Sequence, residues 1–165
     1  ETTLKMPEDK DCQFVVDILL YSSHGDPVLR SNVYTIIGNF ITNILDKNLD
    51  YEKILAKNEN VKDCLDFNLL VRHLCNGLQD EIHSVVKQTL AVWENCVNLV
   101  LPVIENEEVI DSILRVSYNK YWLVQIKYCD VITKIDLRLI ENQDRAEIYR
   151  VSRLFVTYHF IRKFH

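Results

Sequence analysis

A chain of 165 residues has the length of a single domain, and 48% hydrophobic with 26% charged residues is typical of a folded, soluble protein rather than a disordered one. It contains only three glycines and three prolines, where average usage would give roughly twenty of the two together. A β-sandwich or barrel, which needs many tight turns, is therefore excluded. The net charge of −5 argues against nucleic acid as a partner, because binding phosphates requires a basic surface.

Cysteine usage indicates a reducing compartment, because the five cysteines are odd in number and widely spaced. They are Cys12, Cys64, Cys75, Cys96 and Cys129. No apolar run approaches the ~20 residues of a membrane span, and no signal peptide opens the chain. We therefore expect a cytoplasmic location, which is compatible with additional nuclear and vesicle-associated pools, and membrane contact that is at most indirect. The chain lacks an initiator methionine and stops inside an apolar pattern, so we expect it to be cut from a longer protein.

The first predicted helix pair covers residues 9–46. Its second helix begins at Asp26-Pro27, where a capping aspartate precedes a proline in the first helical position. The connection at 23–25 is short, so the two helices must pack antiparallel. The apolar positions of the first helix are Phe14, Val15, Ile18 and Leu19.

A polar stretch over 46–62 separates this pair from the next and predicts a long loop that carries one short helical turn. The second pair covers 63–101, with Asp63 and Asp66 at the start of its first helix. Its second helix begins near Asp80-Glu81. The apolar positions of the first helix are Phe67, Leu70, Val71, Leu74 and Leu78.

The third pair covers 107–140, and its second helix begins near Asn119. The apolar positions of its first helix are Val109, Ile110, Ile113 and Leu114. One further helix is predicted over 146–164. Because that helix carries two apolar stripes, we expect neighbours on both sides and interpret it as the first helix of a fourth pair.

The second helices of the three pairs repeat one apolar stripe. When Arg30 is aligned with Lys87 and Gln125, apolar residues recur at i, i+3, i+7 and i+11, which is one face of a helix. The aligned columns are Val33, Leu90 and Tyr128; Ile36, Trp93 and Val131; Phe40, Val97 and Ile135; and Ile44, Leu101 and Leu139. Stacked pairs bury each other's faces, which predicts an all-α fold: an α-solenoid of about three antiparallel helix pairs plus one further helix.

The segment 24–30, His-Gly-Asp-Pro-Val-Leu-Arg, contains an Asp-Pro-x-x-Arg turn that resembles the HEAT repeat, and Gly38 lies where HEAT helices often have a small residue. Five further segments, in this order, are similar to the amino-terminal HEAT-repeat region of the huntingtin family. They are Val16-Asp17-Ile18-Leu19, Asp80-Glu81, Asn95-Cys96-Val97, Tyr121-Trp122-Leu123-Val124 and Ile135-Asp136-Leu137-Arg138-Leu139. The resemblance extends from about Pro7 to Ile140, whereas the loop at 46–62 departs from it, which indicates a diverged animal version.

The resemblance implies a large cytoplasmic scaffold without a catalytic site or cofactor. Members of that family link motor complexes to vesicles in microtubule-based and axonal transport, take part in selective autophagy, and are stabilised by a dedicated huntingtin-associated partner. Motor and vesicle adaptors are therefore the implied partners, and the rest of the same solenoid is expected at both ends. No residue-level binding motif carries over to this chain. A passive spacer within a solenoid, and a HEAT- or armadillo-type adaptor from another family, are the alternatives.

Residues that could support catalysis or bind a metal do not form a motif. Three scattered glycines exclude both common nucleotide-binding loops. The residues Cys64, His73, Cys75 and His83 lack zinc-site spacing, so we interpret the cysteines as core residues and the histidines as solvated. A Cys–His nucleophile pair has no support in the sequence.

Charged clusters are interpreted as solvated surface. Glu105, Glu107 and Glu108 suit the first turn of a helix better than acid–base catalysis. Five basic residues follow in the last part of the chain, and an anionic lipid or an acidic partner is the alternative to a solvated face there. They are Arg145, Arg150, Arg153, Arg162 and Lys163.

The two tryptophans are both predicted to lie in the core. Trp93 falls in a repeated apolar column. Trp122 starts a helix, where its indole N–H could reach water or a carbonyl. For Trp122, an anchor for a partner protein is the alternative.

Overall fold

The computed structural model describes residues 9–46, 50, 53–54, 56, 66–103, 106–132, 134–135, 146 and 150. Within these ranges the regular structure consists of helices, without a strand, and the predicted all-α fold is confirmed. The chain divides into two compact units, unit 1 up to Val100 and unit 2 from Leu101 onward.

Among the described residues, unit 1 has four α-helices with defined bounds. Helix α1 spans Asp9–Leu19 and continues into a 3₁₀ turn at Leu20–Ser23, and α2 spans Pro27–Asp46. Helix α3 spans Phe67–Gly77, and α4 spans His83–Val100. The start of α2 at Pro27 agrees with the prediction. Helix α3 begins directly after Asp66, whose side chain accepts a hydrogen bond from the Asn68 N–H, so Asp66 is the capping residue.

The contacts of α2 fix the directions of its neighbours. Along α2, contacts advance from Thr35 with Gln88 to Gly38 with Val92, so α2 and α4 run in the same direction. Against α3 the order reverses, because Tyr34 packs on Gly77 and Gly38 faces Leu74. Helix α3 is therefore antiparallel to α2. This is the arrangement of stacked helix pairs.

Two glycines allow this close packing. A Cβ atom added to Gly38 would overlap the Val92 side chain. A Cβ atom added to Gly77 would lie 2.7 Å from the ring of Tyr34, whose hydroxyl donates to the Ser22 carbonyl over 3.2 Å. The prediction of a small residue at Gly38 therefore has a physical reason: it brings the backbone of α2 against α4.

The buried face of α2 is turned slightly from the predicted stripe. Val33 and Ile44 are buried as the aligned columns require, but Ile36 and Phe40 are only half-buried. The centre of the core is formed by Ile37 and Ile41, both of which were left out of the columns. On α4 the face is broader, because nine residues from Val85 to Val100 are buried. Trp93 is among them, 3% exposed, as predicted.

Among the described residues, unit 2 has two α-helices, both of which are shorter than α2 and α4 of unit 1. After a 3₁₀ turn at Leu101–Val103, α5 spans Glu107–Arg115 and a second 3₁₀ turn spans Val116–Tyr118. Helix α6 spans Trp122–Ile132. All four predicted apolar positions of α5 are buried. The buried side chains of the α6 segment are Val124, Tyr128, Val131, Ile132 and Ile135.

Parts of the prediction lie outside the described residues. Of the loop at 46–62, Lys53 and Ile54 are helical and Ile54 is buried. Of the helix over 146–164, Ala146 and Arg150 are described, and both are helical. Leu139 and the end of the third pair are outside the described ranges.

Candidate interaction surface

The turn from His24 to Arg30 is held by side chains on both sides. The ring nitrogen Nδ1 of His24 accepts a hydrogen bond from the Asp26 N–H over 3.0 Å, and Asp26 Oδ1 accepts from the Val28 N–H over 2.8 Å. Arg30 reaches back from α2, where its Nη1 donates to the His24 carbonyl at 2.7 Å and to the Gly25 carbonyl at 3.2 Å. These bonds pair two N–H groups of the turn, those of Asp26 and Val28, and two carbonyls, those of His24 and Gly25.

Arg30 also binds the next helix pair. Its Nε and Nη2 donate to the two carboxylate oxygens of Asp80 over 2.7 and 2.9 Å, a bidentate ion pair. The side chains are only 14% and 9% exposed. Asp80 in turn accepts from the Ile82 N–H over 2.8 Å just ahead of α4. One guanidinium therefore joins the turn before α2 to the turn before α4.

The pKa of Asp80 follows from these contacts. Burial alone would raise it, but the hydrogen bonds from Arg30 and from the Ile82 N–H favour the carboxylate and hold the pKa of Asp80 below its usual value. The Asp-Pro-x-x-Arg pattern drew attention to Arg30, and Asp80 was predicted to lie near a helix start. Their pairing across 50 positions had no signal in a single sequence.

The turn from Asn119 to Gln125 has the same backbone plan, with an amide in place of the guanidinium. Both turns follow a 3₁₀ turn and begin with an extended residue, His24 in one and Asn119 in the other. Asn119 Oδ1 accepts from the Tyr121 N–H over 2.7 Å, and Gln125 Nε2 donates to the Asn119 carbonyl over 2.8 Å. Gln125 therefore does for this turn what Arg30 does for its own, and the alignment of these two positions is supported by geometry.

Exposed apolar side chains concentrate at these turns. In unit 1 they include the last residues before the turn and the first residues of α2, with Ile82 ahead of α4. In unit 2 they lie in the 3₁₀ turn and along α6. The set at the turns is Leu20, Tyr21, Val28, Leu29 and Ile82 in unit 1, and Tyr118, Trp122 and Ile126 in unit 2. Phe14, one of the predicted apolar positions of α1, is also exposed but lies away from the turns. Exposed apolar side chains grouped in this way indicate surfaces for protein partners.

The prediction that Trp122 lies in the core is wrong, since its side chain is 59% exposed. The reason is its position relative to Val124, which is fully buried. Two residues apart on a helix means roughly 200° of rotation, so the two side chains lie on opposite faces of α6. Ile126, four residues after Trp122, shares its side. The spacing from the aligned column was enough to predict this.

The described cysteines and histidines do not form a metal site. Within the described residues, no cluster of three or more candidate ligands occurs. Cys75 and Cys96 are fully buried, and burial raises the pKa of both thiols, that of Cys96 to about 12. They are unreactive thiols of the core. His73 is half-buried rather than solvated, and burial, followed by the charge of Arg72, lowers its pKa.

The charged clusters are described in part. Glu107 and Glu108 are exposed in the first turn of α5, where Asn106 caps the helix, in agreement with a solvated helix start. Cys64, Glu105 and four residues of the basic cluster lie outside the described residues, and Arg150 is exposed. Within the described part of the chain, no helix is both long and apolar enough to cross a membrane.

Stacked helix pairs, a parallel α2 and α4, and an arginine that links successive turns define a helical-repeat scaffold of the HEAT type. The family model described as huntingtin, N-terminal HEAT matches residues 21–159, which is most of the chain. The chain therefore belongs to the huntingtin N-terminal HEAT family. No solved structure matches it.

Proposed function

We propose that this chain is part of a cytoplasmic protein–protein interaction scaffold that connects motor complexes to vesicles in microtubule-based and axonal transport and takes part in selective autophagy. Membership of the huntingtin N-terminal HEAT family over residues 21–159 is the observation that supports this proposal. The proposed partners are motor and vesicle adaptors, a stabilising huntingtin-associated protein, and further helix pairs of the same solenoid at both ends. The exposed apolar side chains at the turns are where protein partners would bind.

A passive spacer is the second candidate, and the Arg30–Asp80 ion pair favours it. A bidentate pair between successive turns holds two helix pairs at a fixed separation. A spacer needs that rigidity and needs no exposed binding residues. The two candidates therefore differ in whether the surface of the chain matters or only its length.

The test replaces residues 21–159 in the complete protein with a helical-repeat segment of equal length and unrelated surface. Neurons that lack the protein would receive either version, and the run length of labelled vesicles on axonal microtubules and the clearance of an autophagy cargo would be measured. The proposal expects rescue by the natural segment and loss of rescue with the substitute. Full rescue by the substitute would establish the spacer instead.

A further inference from the structure

Among the described residues of unit 2, the exposed large apolar side chains lie in the 3₁₀ turn before α6 and in the first turns of α6. Tyr118 is 64% exposed, Trp122 59% and Ile126 37%. Trp122 and Ile126 are one helical turn apart on the face opposite the buried residues of α6. Tyr118 ends the 3₁₀ turn that contacts α6. We call these three residues the Trp122 patch.

Among the described side chains, the exposed charges next to the Trp122 patch are basic, and the half-buried Asp111 lies one helical turn before Arg115. Arg115 precedes the 3₁₀ turn by one residue and lies three positions before Tyr118, and residues three apart in a 3₁₀ helix share a side. Lys120 lies in the turn, between Tyr118 and Trp122. Both are exposed, and neither has an ion-pair partner among the described residues. The acidic residues Glu107 and Glu108 lie at the opposite end of α5.

The corresponding surface of unit 1 has the opposite charge. Its exposed apolar residues Val28 and Ile82 are aliphatic and Tyr21 is aromatic, and the exposed charges beside Val28 and Ile82 are Asp26 and Glu81. Arg30, the nearest cation, is already bound to Asp80. The basic charge therefore distinguishes the turn of unit 2 and is not a general property of these turns, whereas exposed aromatic side chains occur at both.

We propose that the Trp122 patch binds an acidic segment of a partner protein, with an apolar side chain of that segment packed on Trp122. The proposal rests on the scaffold function above. Tryptophan, tyrosine and arginine are the residues that most often carry binding energy in protein interfaces. Arg115 and Lys120 attract negative charge and disfavour a basic partner. The N-terminus of α6, where the patch begins, has the same preference.

Photo-crosslinking identifies the partner chemistry directly. The complete protein would carry p-benzoylphenylalanine in place of Tyr118, would be irradiated in cells, and its crosslinked peptides would be sequenced by mass spectrometry. The expected crosslinks lie in acidic segments of other proteins, and they decrease when Trp122→Ser is added. Crosslinks to basic or uncharged segments, to a second copy of the chain, or to other parts of the same molecule would each overturn the proposal.

Peptide binding measures the charge preference with a defined probe. The chain would be titrated into a fluorescein-labelled 16-residue peptide with Phe and Leu four positions apart among Asp and Glu, and into the same peptide with Lys and Arg instead. We expect only the acidic peptide to bind, and we expect binding to weaken as salt rises and screens the charges. Equal binding of both peptides, or binding of only the basic one, contradicts the proposal.

Variants separate the two parts of the patch. Trp122→Ala should weaken binding of the acidic peptide by about tenfold or more, as expected for an interface anchor. Lys120→Glu keeps the apolar area, reverses one charge and should weaken binding mainly at low salt. The matched control Phe14→Ser removes an exposed aromatic side chain (53%) from α1, away from the turns, and should change nothing.

The failure of this proposal can be told apart from the failure of the proposed function. If Trp122→Ser leaves crosslinking and peptide binding unchanged while the substitute segment still abolishes vesicle transport, the scaffold function stands and the patch proposal is wrong. If the substitute segment rescues transport, the scaffold function fails whatever the peptides do.

Discussion

The turns at 24–30 and 119–125 show how one backbone plan serves two purposes. Each begins with an extended residue after a 3₁₀ turn, and each is closed by a side chain six residues later that donates to that residue's carbonyl. In unit 2 the donor is Gln125, and the described hydrogen bond closes the turn. In unit 1 it is Arg30, and the remaining nitrogens of its guanidinium bind Asp80.

Closing a turn and joining two helix pairs are therefore separate roles, since Gln125 performs the first and Arg30 performs both. An amide is sufficient to pair one carbonyl. A guanidinium has five N–H donors in a fixed plane, so it can pair carbonyls and a carboxylate together. The exposed charges at the two turns also differ, because they are acidic in unit 1 and basic in unit 2.

The two tryptophans provide the largest contrast between the units. Trp93→Ala should lower the free energy of unfolding by about 3–5 kcal/mol, because a buried indole is replaced by a cavity between α4 and its neighbours. Trp122→Ala should change it by less than about 0.5 kcal/mol, because that side chain is mostly in solvent. Urea denaturation followed by circular dichroism measures both. Equal losses for the two variants would mean that Trp122 is buried in solution.

The close approach of α2 and α4 is tested at Gly38. Gly38→Ala should destabilise unit 1 by about 1–3 kcal/mol, because the added methyl group overlaps Val92 and forces the helices apart. Gly25→Ala is the control, since a Cβ there meets nothing within 4 Å, and a change below about 0.5 kcal/mol is expected. A stabilising effect of Gly38→Ala would show that the helices are farther apart than described.

The joint between helix pairs is tested at Asp80. Asp80→Ala removes both the cap on the Ile82 N–H and the carboxylate that Arg30 binds, so a loss of about 1–2 kcal/mol in unfolding free energy is expected. Glu81→Ala, one residue later and exposed, is the control and should lie within about 0.5 kcal/mol of the parent. Equal losses for Asp80→Ala and Glu81→Ala would show that the Arg30–Asp80 ion pair contributes no more to stability than an exposed surface contact.

Loss of the Gln125 amide, which closes the turn at 119–125, should lower the free energy of unfolding less than loss of the Asp80 carboxylate. Gln125→Ala removes one neutral hydrogen bond to the Asn119 carbonyl, so about 0.5–1.5 kcal/mol should be lost. Hydrogen exchange of the amides in 119–125 should accelerate while exchange in unit 1 is unchanged. Lys120→Ala in the same turn should leave those rates as they are. Faster exchange in both variants would argue against a specific role for the amide.

The pH dependence of the ion pair has a definite sign. Because the folded-state pKa of Asp80 is lowered, its stabilising contribution is complete above the usual aspartate pKa of about 4 and is lost as the pH falls through the lower folded-state value. The difference in unfolding free energy between the parent and Asp80→Asn should therefore be constant from pH 7 to pH 5 and should shrink below pH 4. A difference that grows in acid would contradict the assignment.

Much of this architecture could be predicted from the sequence, and the limits have physical causes. Helix pairs are encoded by local periodicity and by caps such as Asp26-Pro27, so the helices described in both units lie within the predicted pairs. The exact buried face was not, because Ile36 and Ile37 are equally apolar and only the packing of Gly38 on Val92 decides which one faces the core. The Arg30–Asp80 pair depends on tertiary structure and has no local pattern. For Trp122, the large apolar side chain predicts burial, whereas its two-residue spacing from the buried Val124 places it on the exposed face of α6.

The contacts along α2 also determine how a small shift in the middle of the helix is amplified at its C-terminal end. Near the start of α2, Arg30 is bound to Asp80, and Gly38 packs on Val92. At ~1.5 Å per residue, Gly38 lies about 12 Å from Arg30 along the helix, and the last residue, Asp46, lies about 24 Å from Arg30. A displacement of about 1 Å at Gly38 would therefore become about 2 Å at Asp46, where the long connection to α3 begins. The fit of Gly38 against Val92 thus determines where the C-terminal end of α2 lies relative to α4.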